Sequence, residues 1–175
     1  MTDRARKLAR NIKLLVLDVD GVLTDGGLYY DADGMAMKRF NVQDGFGIKL
    51  AQSVDLEIGI ISGLDQAPVA KRITELGIRH YYPGKHRKVP LFEEICAKVG
   101  VDVSEAAFMG DDWIDLAVMA RAGMALCVPN AMPEVIEAAD WVAPRPGGHG
   151  AVRDAIGFIL EARGLLDKAM EQWAG

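Results

Sequence analysis

The stretch LDVDGVLTDGG, residues 17 to 27, places a group of aspartates directly after a run of aliphatic residues. The run IKLLVL, residues 12–17, has the length and composition of a strand that is buried on both faces. Asp18, Asp20 and Asp25 then follow in the next turn of chain. In an open parallel sheet, ligands bind in the crevice beyond the carboxyl ends of the strands, so this charge predicts a binding site there.

Short apolar runs alternate with segments of helical periodicity along the rest of the chain. The predicted strands after the first are 56–61, 80–82, 106–109, 124–128 and 141–143, and the predicted helices are 44–54, 65–77, 88–100, 111–123 and 133–140. This alternation predicts an α/β fold, a Rossmann-like parallel sheet with helices on both faces. The length favours a single domain over residues 1–175.

Two segments do not fit the alternation. Residues 26–41 carry alternating apolar residues on either side of an Asp-Ala-Asp-Gly turn, which predicts a projecting β-hairpin. The alternating residues are Leu28, Tyr30, Met35 and Met37. Residues 164–175 are typical of a loosely amphipathic tail after a final helix.

Composition excludes several classes of partner. The net charge is −5 and no long basic stripe offsets it, which argues against binding to nucleic acid or to an anionic membrane. No apolar run reaches the length of a membrane span. Cys96 and Cys127 are isolated in apolar surroundings, as is typical of buried thiols in a reducing compartment. We therefore expect a cytoplasmic protein that binds a small molecule.

Polar residues follow two further strands and begin one helix at the same predicted edge of the sheet. A hydroxyl and a glycine follow residues 56–61, a lysine begins the helix 88–100, and an acidic cluster follows residues 106–109. With the first loop, the candidate site residues are Asp18, Asp20, Ser62, Gly63, Lys88, Asp111, Asp112 and Asp115.

Carboxylates that share one edge repel one another, which raises their pKa values unless a cation joins them. Mg²⁺ suits this arrangement, because it prefers oxygen ligands and is held by one or two carboxylates together with a substrate phosphate. An EF-hand calcium loop is excluded, since Val22 and Tyr29 stand where its oxygen ligands are required. Each acidic cluster alone is equally typical of a solvated loop or a helix cap, and only the combination favours a metal site.

These residue types suit phosphoryl transfer. A carboxylate such as Asp18 can attack phosphorus and form an acyl phosphate that water then hydrolyses. Asp20, two residues further on, can protonate the leaving oxygen and later activate the water. Ser62, nearby backbone amides and Lys88 can stabilise the phosphoryl oxygens.

With these residues assembled, the chain resembles the capless members of the haloacid dehalogenase superfamily of phosphatases. The signature DxDGxxTD spans residues 18–25, Ser62 ends an apolar strand, Lys88 is the lysine of the third signature, and GDDxxD spans residues 110–115. The resemblance implies that Asp18 is the nucleophile and that Asp20 is the general acid/base. It also implies a Mg²⁺ held by Asp18, the main-chain carbonyl of Asp20, and Asp111, with Asp112 and Asp115 holding metal-bound water or orienting Lys88.

The resemblance extends to KRFNVQDGFGIKL, residues 38–50, and GGHGAVRD, residues 147–154. With these runs, the chain resembles superfamily members that act on sugar-acid phosphates in lipopolysaccharide biosynthesis, and the resemblance implies 3-deoxy-D-manno-octulosonate 8-phosphate as the substrate. A nonulosonate 9-phosphate of the sialic-acid type, or another phosphosugar, is the alternative. The implied substrate contacts are Thr24, Gly63, Gln43, Arg145 and His149.

Two positions depart from the octulosonate pattern. Gln43 and Leu64 stand where those enzymes commonly carry arginine, the usual bidentate partner of a carboxylate. The phosphatase chemistry does not depend on either position, but recognition of the sugar acid does.

The intervals between the signatures hold no cap domain, so something else must cover the site. Hairpins from several subunits are expected to associate, and the resemblance implies a homotetramer; the alternative is a hairpin that folds over its own domain. The tail, with Leu165, Leu166, Met170 and Trp173, is expected either to pack simply on the domain or to act as a mobile flap.

Two functions without catalysis remain possible on the residues alone. A phosphorylated receiver domain uses similar residue types, but its acidic pair precedes a single acceptor aspartate on a later strand. A noncatalytic phosphosugar-binding domain would not require all the catalytic positions to be filled.

Overall fold

The computed structural model describes residues 3–173, apart from the side chains of Met35 and Ala36. Its main sheet has six parallel strands, β1 Leu14–Leu17, β4 Glu57–Ile61, β5 His80–Tyr82, β6 Ala106–Gly110, β7 Met124–Cys127 and β8 Trp141–Val142; β2 and β3 form the separate hairpin described below. The six strands pair in the order β5-β4-β1-β6-β7-β8. The strand order reverses beside β1, so the loop after β1 opens into the crevice where such sheets bind ligands.

Helices cover both faces of this sheet. They are α1 Asp3–Ala9, α2 Val42–Ser53, α3 Ala67–Leu76, α4 Val89–Val99, α5 Leu116–Arg121, α6 Pro133–Ala138, α7 Ala151–Ala162 and α8 Leu166–Glu171. Every residue of β1 is buried. Leu15 and Leu17 lie in the hydrophobic cluster that includes α2 and α7. Leu14 and Val16 lie in the hydrophobic cluster that includes α4 and α5. This two-sided burial explains why β1 is an unbroken apolar run. The predicted fold class is confirmed.

The predicted hairpin is present as β2 Tyr29–Asp31 and β3 Gly34–Met37, which pair with each other and not with the main sheet. Asp31 accepts a hydrogen bond from Asp33 N at 2.9 Å, and Gly34 has φ +122, so the turn chemistry read from the sequence is what closes the hairpin. Leu28, Tyr30 and Met37 are exposed, whereas the side chain of Met35 lies outside the described part.

The prediction of one helix over residues 111–123 is wrong. The chain instead forms a 3-10 turn, Trp113–Asp115, followed by the short helix α5. The side chain of Asp115 folds back to the N–H groups of Asp111 and Asp112, and this contact tightens the first turn. The helix α1 was not predicted, because its charged residues give only two buried alanines, Ala5 and Ala9.

The tail lies on the domain surface. Within it, Ala169 is buried, and the Trp173 ring meets Phe46 of α2 edge-on with 5.2 Å between ring centroids. Residues 174 and 175 of the predicted tail, like residues 1 and 2 of the predicted domain, lie outside the described part. Among the helices of residues 3–173, none combines the length and apolar character that crossing a membrane requires.

Candidate active site

Asp18 and Asp20 lie on the loop that leaves the carboxyl end of β1. Asp18 N donates to Met109 O of β6 at 3.0 Å, so the first loop residue keeps the register of the sheet. Gly21 then adopts φ +90, a left-handed conformation that glycine tolerates, and turns the chain back. The N–H groups of residues 22–24 converge on Val19 O, which fixes the loop.

Lys88 joins the first loop to the loop after β6. Its Nζ lies 2.6 Å from Asp18 Oδ1 and 2.6 Å from Asp115 Oδ1, and all three residues are buried. Burial acts to lower the pKa of Lys88, but the attraction of the two carboxylates outweighs it and raises the pKa above its usual value. The lysine is therefore charged and holds two carboxylates that would otherwise repel each other.

Asp115 also organises the GDD loop. Its Oδ2 accepts from Asp111 N at 3.1 Å and from Asp112 N at 3.4 Å, while Oδ1 accepts from Lys88. Gly110 is required beside it, because a Cβ there would overlap the Asp115 carboxylate. Both oxygens of Asp115 are thus engaged by donors of the protein.

Asp18 and Asp111 accept fewer hydrogen bonds from the protein than Asp115 does. Burial raises the pKa of Asp111 to about 8, with Asp18, Asp115 and Asp112 adding to the shift by repulsion. Burial raises the pKa of Asp18 to about 7, although Lys88 opposes the shift. Asp111 Oδ1 is buried and finds no hydrogen-bond partner among residues 3–173.

An oxygen-binding cation fits this arrangement. Asp18, Asp111 and Asp115 each offer a carboxylate oxygen, and these oxygens lie within 4.8 Å of one another. Because the oxygens of Asp115 are already engaged, Asp18 and Asp111 are the side chains that would hold the ion. Carboxylate oxygens are the ligands preferred by hard cations such as Mg²⁺.

Comparison with known proteins agrees with the geometry. Residues 73–156 match the haloacid dehalogenase-like hydrolase family. The chain is 43% identical over 164 residues to 3-deoxy-D-manno-octulosonate 8-phosphate phosphatase KdsC of Escherichia coli strain K12, covering 94% of this chain and 87% of that protein. The chain belongs to the haloacid dehalogenase-like hydrolases.

Solved structures of family members are similar over nearly the whole chain. The 3-deoxy-D-manno-octulosonate 8-phosphate phosphatase of Yersinia pestis has a TM-score of 0.93 at 37% identity, covering 95% of this chain and 90% of that one. The Moraxella catarrhalis enzyme, solved with a magnesium ion, a phosphate ion and a KDO molecule, has a TM-score of 0.94 at 34% identity, covering 99% of both chains. As a member of this family, the protein is a phosphatase.

The haloacid dehalogenase-like site surrounds one small cavity of about 180 Å³. Of the predicted site residues, the cavity is lined by Asp18, Asp20, Gly63, Lys88, Asp111 and Asp112. Asp112 contacts Trp113 N at 2.6 Å and is exposed, so the residue that orients Lys88 in this structure is Asp115.

Two predicted site hydroxyls are engaged within their own loops. Ser62 Oγ donates to Leu64 O at 2.9 Å and accepts from Leu64 N at 3.2 Å. Thr24 is fully buried, and its Oγ1 accepts from Gly26 N at 3.2 Å and donates to Val19 O at 3.3 Å. In this structure Thr24 shapes the loop after β1, which carries Asp18 and Asp20, and Gly63, rather than Ser62, lines the cavity.

Three predicted substrate contacts lie away from that cavity. Arg145 donates to Gln43 Oε1 at 2.5 Å and forms two hydrogen bonds with Asp154, and both Gln43 and Arg145 line a separate cavity of about 360 Å³. His149 lies with Nδ1 2.8 Å from Gly147 O and Nε2 3.1 Å from Arg39 Nη1. This geometry fits a neutral imidazole that donates through Nδ1 and accepts through Nε2.

Sequence reasoning missed several residues at the site. His86 and Ile114 line the cavity, and Lys38 forms an ion pair with Asp20. Leu64, the position that departs from the octulosonate pattern, also lines the cavity. The available signal for Lys38 was the Lys-Arg pair at residues 38 and 39, directly after β3, where the chain returns to the loop that carries Asp18 and Asp20. No sequence pattern indicated His86 or Ile114, because the loop positions that reach a cavity depend on the tertiary fold.

Proposed function

We propose that the protein is a Mg²⁺-dependent phosphatase that hydrolyses 3-deoxy-D-manno-octulosonate 8-phosphate through a phosphorylated Asp18. The observation that carries this proposal is the position of Lys88, whose Nζ lies 2.6 Å from both Asp18 and Asp115 beside the unpartnered Asp111 oxygen. The identity of 43% with KdsC supports the choice of substrate. The bound magnesium ion, phosphate ion and KDO molecule of the Moraxella catarrhalis relative support both the metal and the substrate.

In the first step, a carboxylate oxygen of Asp18 attacks phosphorus, and the bond from phosphorus to the sugar oxygen breaks. Asp20, which lines the same cavity, gives its proton to that oxygen, so the sugar acid leaves as an alcohol. The product on the protein is an acyl phosphate of Asp18.

In the second step, Asp20 takes a proton from water as the water attacks phosphorus. The bond between phosphorus and Asp18 breaks, inorganic phosphate is released, and both aspartates return to their starting states. The net reaction consumes one water and yields one alcohol and one phosphate.

Charge stabilisation comes from the surrounding loops. Lys88 holds Asp18 in place and offers positive charge to the phosphoryl oxygens. Mg²⁺ held by Asp18, Asp111 and the carbonyl of Asp20 would neutralise the negative charge of the phosphoryl group. Gly63 lets the backbone after β4 approach the cavity. Ser62 is the proposed hydroxyl donor to phosphate, and this role requires its proton to turn away from Leu64 O, to which it donates in this structure.

Recognition of the sugar acid is the part of the proposal with an open alternative. Leu64 and Ile114 make part of the cavity wall apolar, and Gln43 is bound to Arg145 rather than directed to this cavity. A nonulosonate 9-phosphate therefore remains the second candidate substrate. Gly63, Gln43, Arg145 and His149 are the residues proposed to contact the substrate, the last three through movement or through another subunit. Thr24, predicted as a further contact, is fully buried and instead holds the loop after β1 in shape.

The test is a panel of 3-deoxy-D-manno-octulosonate 8-phosphate, a nonulosonate 9-phosphate and a neutral hexose 6-phosphate, assayed for phosphate release with and without Mg²⁺. We expect the highest kcat/KM for the octulosonate and no turnover after Asp18→Asn. The control Glu137→Gln removes an exposed acidic group on α6 and should leave turnover at the wild-type level.

Acid quenching followed by borohydride reduction converts a phosphorylated aspartate to homoserine, and peptide mass spectrometry should find homoserine at position 18. Homoserine at another aspartate, or turnover by Asp18→Asn, would show that the nucleophile is assigned wrongly. A higher kcat/KM for the nonulosonate would transfer the proposal to that substrate.

We also propose a homotetramer in the cytoplasm, acting in lipopolysaccharide biosynthesis. Among the described residues, strands β2 and β3 pair only with each other, and Leu28, Tyr30 and Met37 of the hairpin are 50%, 67% and 58% exposed, which supports covering by other subunits. Cys96 and Cys127 are buried free thiols, which suits a reducing compartment. Sedimentation equilibrium tests the assembly, and a stable monomer at working concentration would contradict it.

A further inference from the structure

Lys38 is a buried lysine that the chemistry described so far does not use. It follows β3 directly, its side chain has no exposed surface, and its Nζ donates to Asp20 Oδ1. The Asp20 side chain is 24% exposed. Since a buried ammonium group is unfavourable unless it is paired, the position of Lys38 is specified by Asp20.

The two residues after Lys38 also contact the loop after β1, which carries Asp18 and Asp20. Arg39 Nη1 lies 3.4 Å from Asp25 Oδ2, and Phe40 forms an antiparallel bridge with Thr24. The strand that returns from the hairpin is thus attached to the loop that carries both catalytic aspartates. We call residues 38–40 the hairpin base.

The Lys38 contact leaves the two oxygens of Asp20 in different environments. Oδ1 accepts from Lys38, whereas Oδ2 takes part in none of the hydrogen bonds found among residues 3–173. A carboxyl group with one oxygen fixed cannot rotate freely, so its second oxygen keeps one direction. Proton transfer requires such a fixed geometry, within hydrogen-bond reach of the reacting oxygen.

On the basis of the proposed function, we propose that Lys38 is a positioning residue: it fixes Asp20 Oδ1 so that Oδ2 exchanges the proton with the sugar oxygen and then with water. The hairpin base thereby connects the hairpin to the proton-transfer step. A purely structural role, in which Lys38 only anchors the hairpin, is the alternative.

The leaving group distinguishes these roles. A sugar alkoxide must be protonated as it departs, whereas p-nitrophenolate leaves without a proton, and kcat/KM reports the steps up to that departure. We expect Lys38→Met to lower kcat/KM by roughly 10- to 100-fold for 3-deoxy-D-manno-octulosonate 8-phosphate and by less than about threefold for p-nitrophenyl phosphate. Lys38→Arg, which keeps a cationic donor, should recover most of the loss. Equal losses on the two substrates would overturn the positioning role.

Two controls keep the test specific. Lys49→Met removes another partly buried lysine, whose Nζ donates to Leu76 O at 2.6 Å on α3, and it should leave the ratio of the two kcat/KM values unchanged. In the Asp20→Asn background, Lys38→Met should cause no further loss on the sugar-acid phosphate; a second full loss would overturn the proposal. This double variant has neither charge of the pair, so it also serves if Lys38→Met alone folds poorly.

Asp18→Asn separates the two hypotheses. Turnover by this variant would contradict the proposed nucleophile whatever the Lys38 variants do. An inactive Asp18→Asn, combined with equal losses on both substrates for Lys38→Met, would contradict the role of Lys38 alone.

Discussion

Replacing Asp111 by asparagine should flatten the pH dependence of stability of the metal-free protein. Burial, with repulsion from Asp18, Asp115 and Asp112, raises the pKa of Asp111 from 3.8 to about 8. The folded protein therefore keeps a proton on Asp111 that the unfolded chain releases near pH 4. For an acid whose pKa is raised by folding, stability falls as the pH rises toward the folded pKa and then levels off.

The magnitude follows from the width of that window. Between about pH 5.5 and about pH 8 lie about 2.5 pH units, of which the levelling near the folded pKa removes about 0.3. Each remaining unit corresponds to roughly 1.4 kcal/mol, so Asp111 should lower the free energy of unfolding by about 3 kcal/mol across this range. For a chain of this size the corresponding fall in Tm is about 6 to 12 °C. Asp18, whose pKa is raised to about 7, gives both proteins a slope of the same sign.

The assay is chemical or thermal unfolding in EDTA at both pH values. The difference in unfolding free energy between Asp111→Asn and wild type should increase by about 3 kcal/mol in favour of the variant on going from pH 5.5 to pH 8. Asp167→Asn, an exposed change on α8, is the matched control and should keep the wild-type slope. Equal slopes for Asp111→Asn and wild type would refute the assignment of Asp111 as a buried, unpartnered carboxyl group.

Magnesium provides the second half of the same experiment. Because a metal ion binds the deprotonated carboxylates, Mg²⁺ should stabilise the wild-type protein more at pH 8 than at pH 5.5. Asp111→Asn should lose most of this stabilisation at both pH values. An undiminished response to Mg²⁺ in the variant would place the ion elsewhere.

Three further predictions concern other parts of the molecule. Lys88→Met leaves two buried carboxylates without a counter-ion, so calorimetry should show a loss of about 3–5 kcal/mol together with no turnover, and unchanged stability would contradict the buried ion pairs. In Gly147→Ala, the new Cβ would overlap Gly21 O and displace the loop that carries Asp18 and Asp20, so kcat should fall by ~10-fold or more. A wild-type kcat would show that this loop and the loop at Gly147 are not in tight contact. Tyr30→Lys places charge on the exposed hairpin and should shift the sedimenting species to a smaller assembly, while an unchanged mass would place the interface elsewhere.

The sheet and the hairpin could be predicted because local patterns determine them. β1 is buried on both faces and therefore reads as an unbroken apolar run, and the Asp-Ala-Asp-Gly turn carries its own hydrogen bond between Asp33 and Asp31. The acidic cluster could be predicted for a topological reason, since the carboxyl ends of neighbouring parallel strands meet at one edge. Both inferences need only the order of the strands and short-range chemistry.

The parts that could not be predicted depend on contacts between distant residues. Lys38 reaches Asp20 across the hairpin, and Arg145 reaches Gln43, which is 102 positions away. The irregular start of α5 has the same origin, because Asp115 is committed to Lys88 and to the GDD loop rather than to a regular helical turn. Periodicity carries no information on such pairings.

The contacts of Lys38 and Lys88 suggest why a metal ion is needed beside Asp18 and Asp111 and not beside the Asp20 side chain. Lys38 contacts one carboxyl group, Asp20, whereas Lys88 is shared between Asp18 and Asp115 beside a further carboxyl group, Asp111. When all three of these acids are ionised, their charge exceeds that of Lys88 by two units, which matches a divalent ion. Without that ion, the pKa values of about 7 for Asp18 and about 8 for Asp111 mean that protons replace it near neutral pH. Because protonated Asp18 is a poor nucleophile, the burial and repulsion that favour metal binding should also keep the enzyme inactive in the absence of metal.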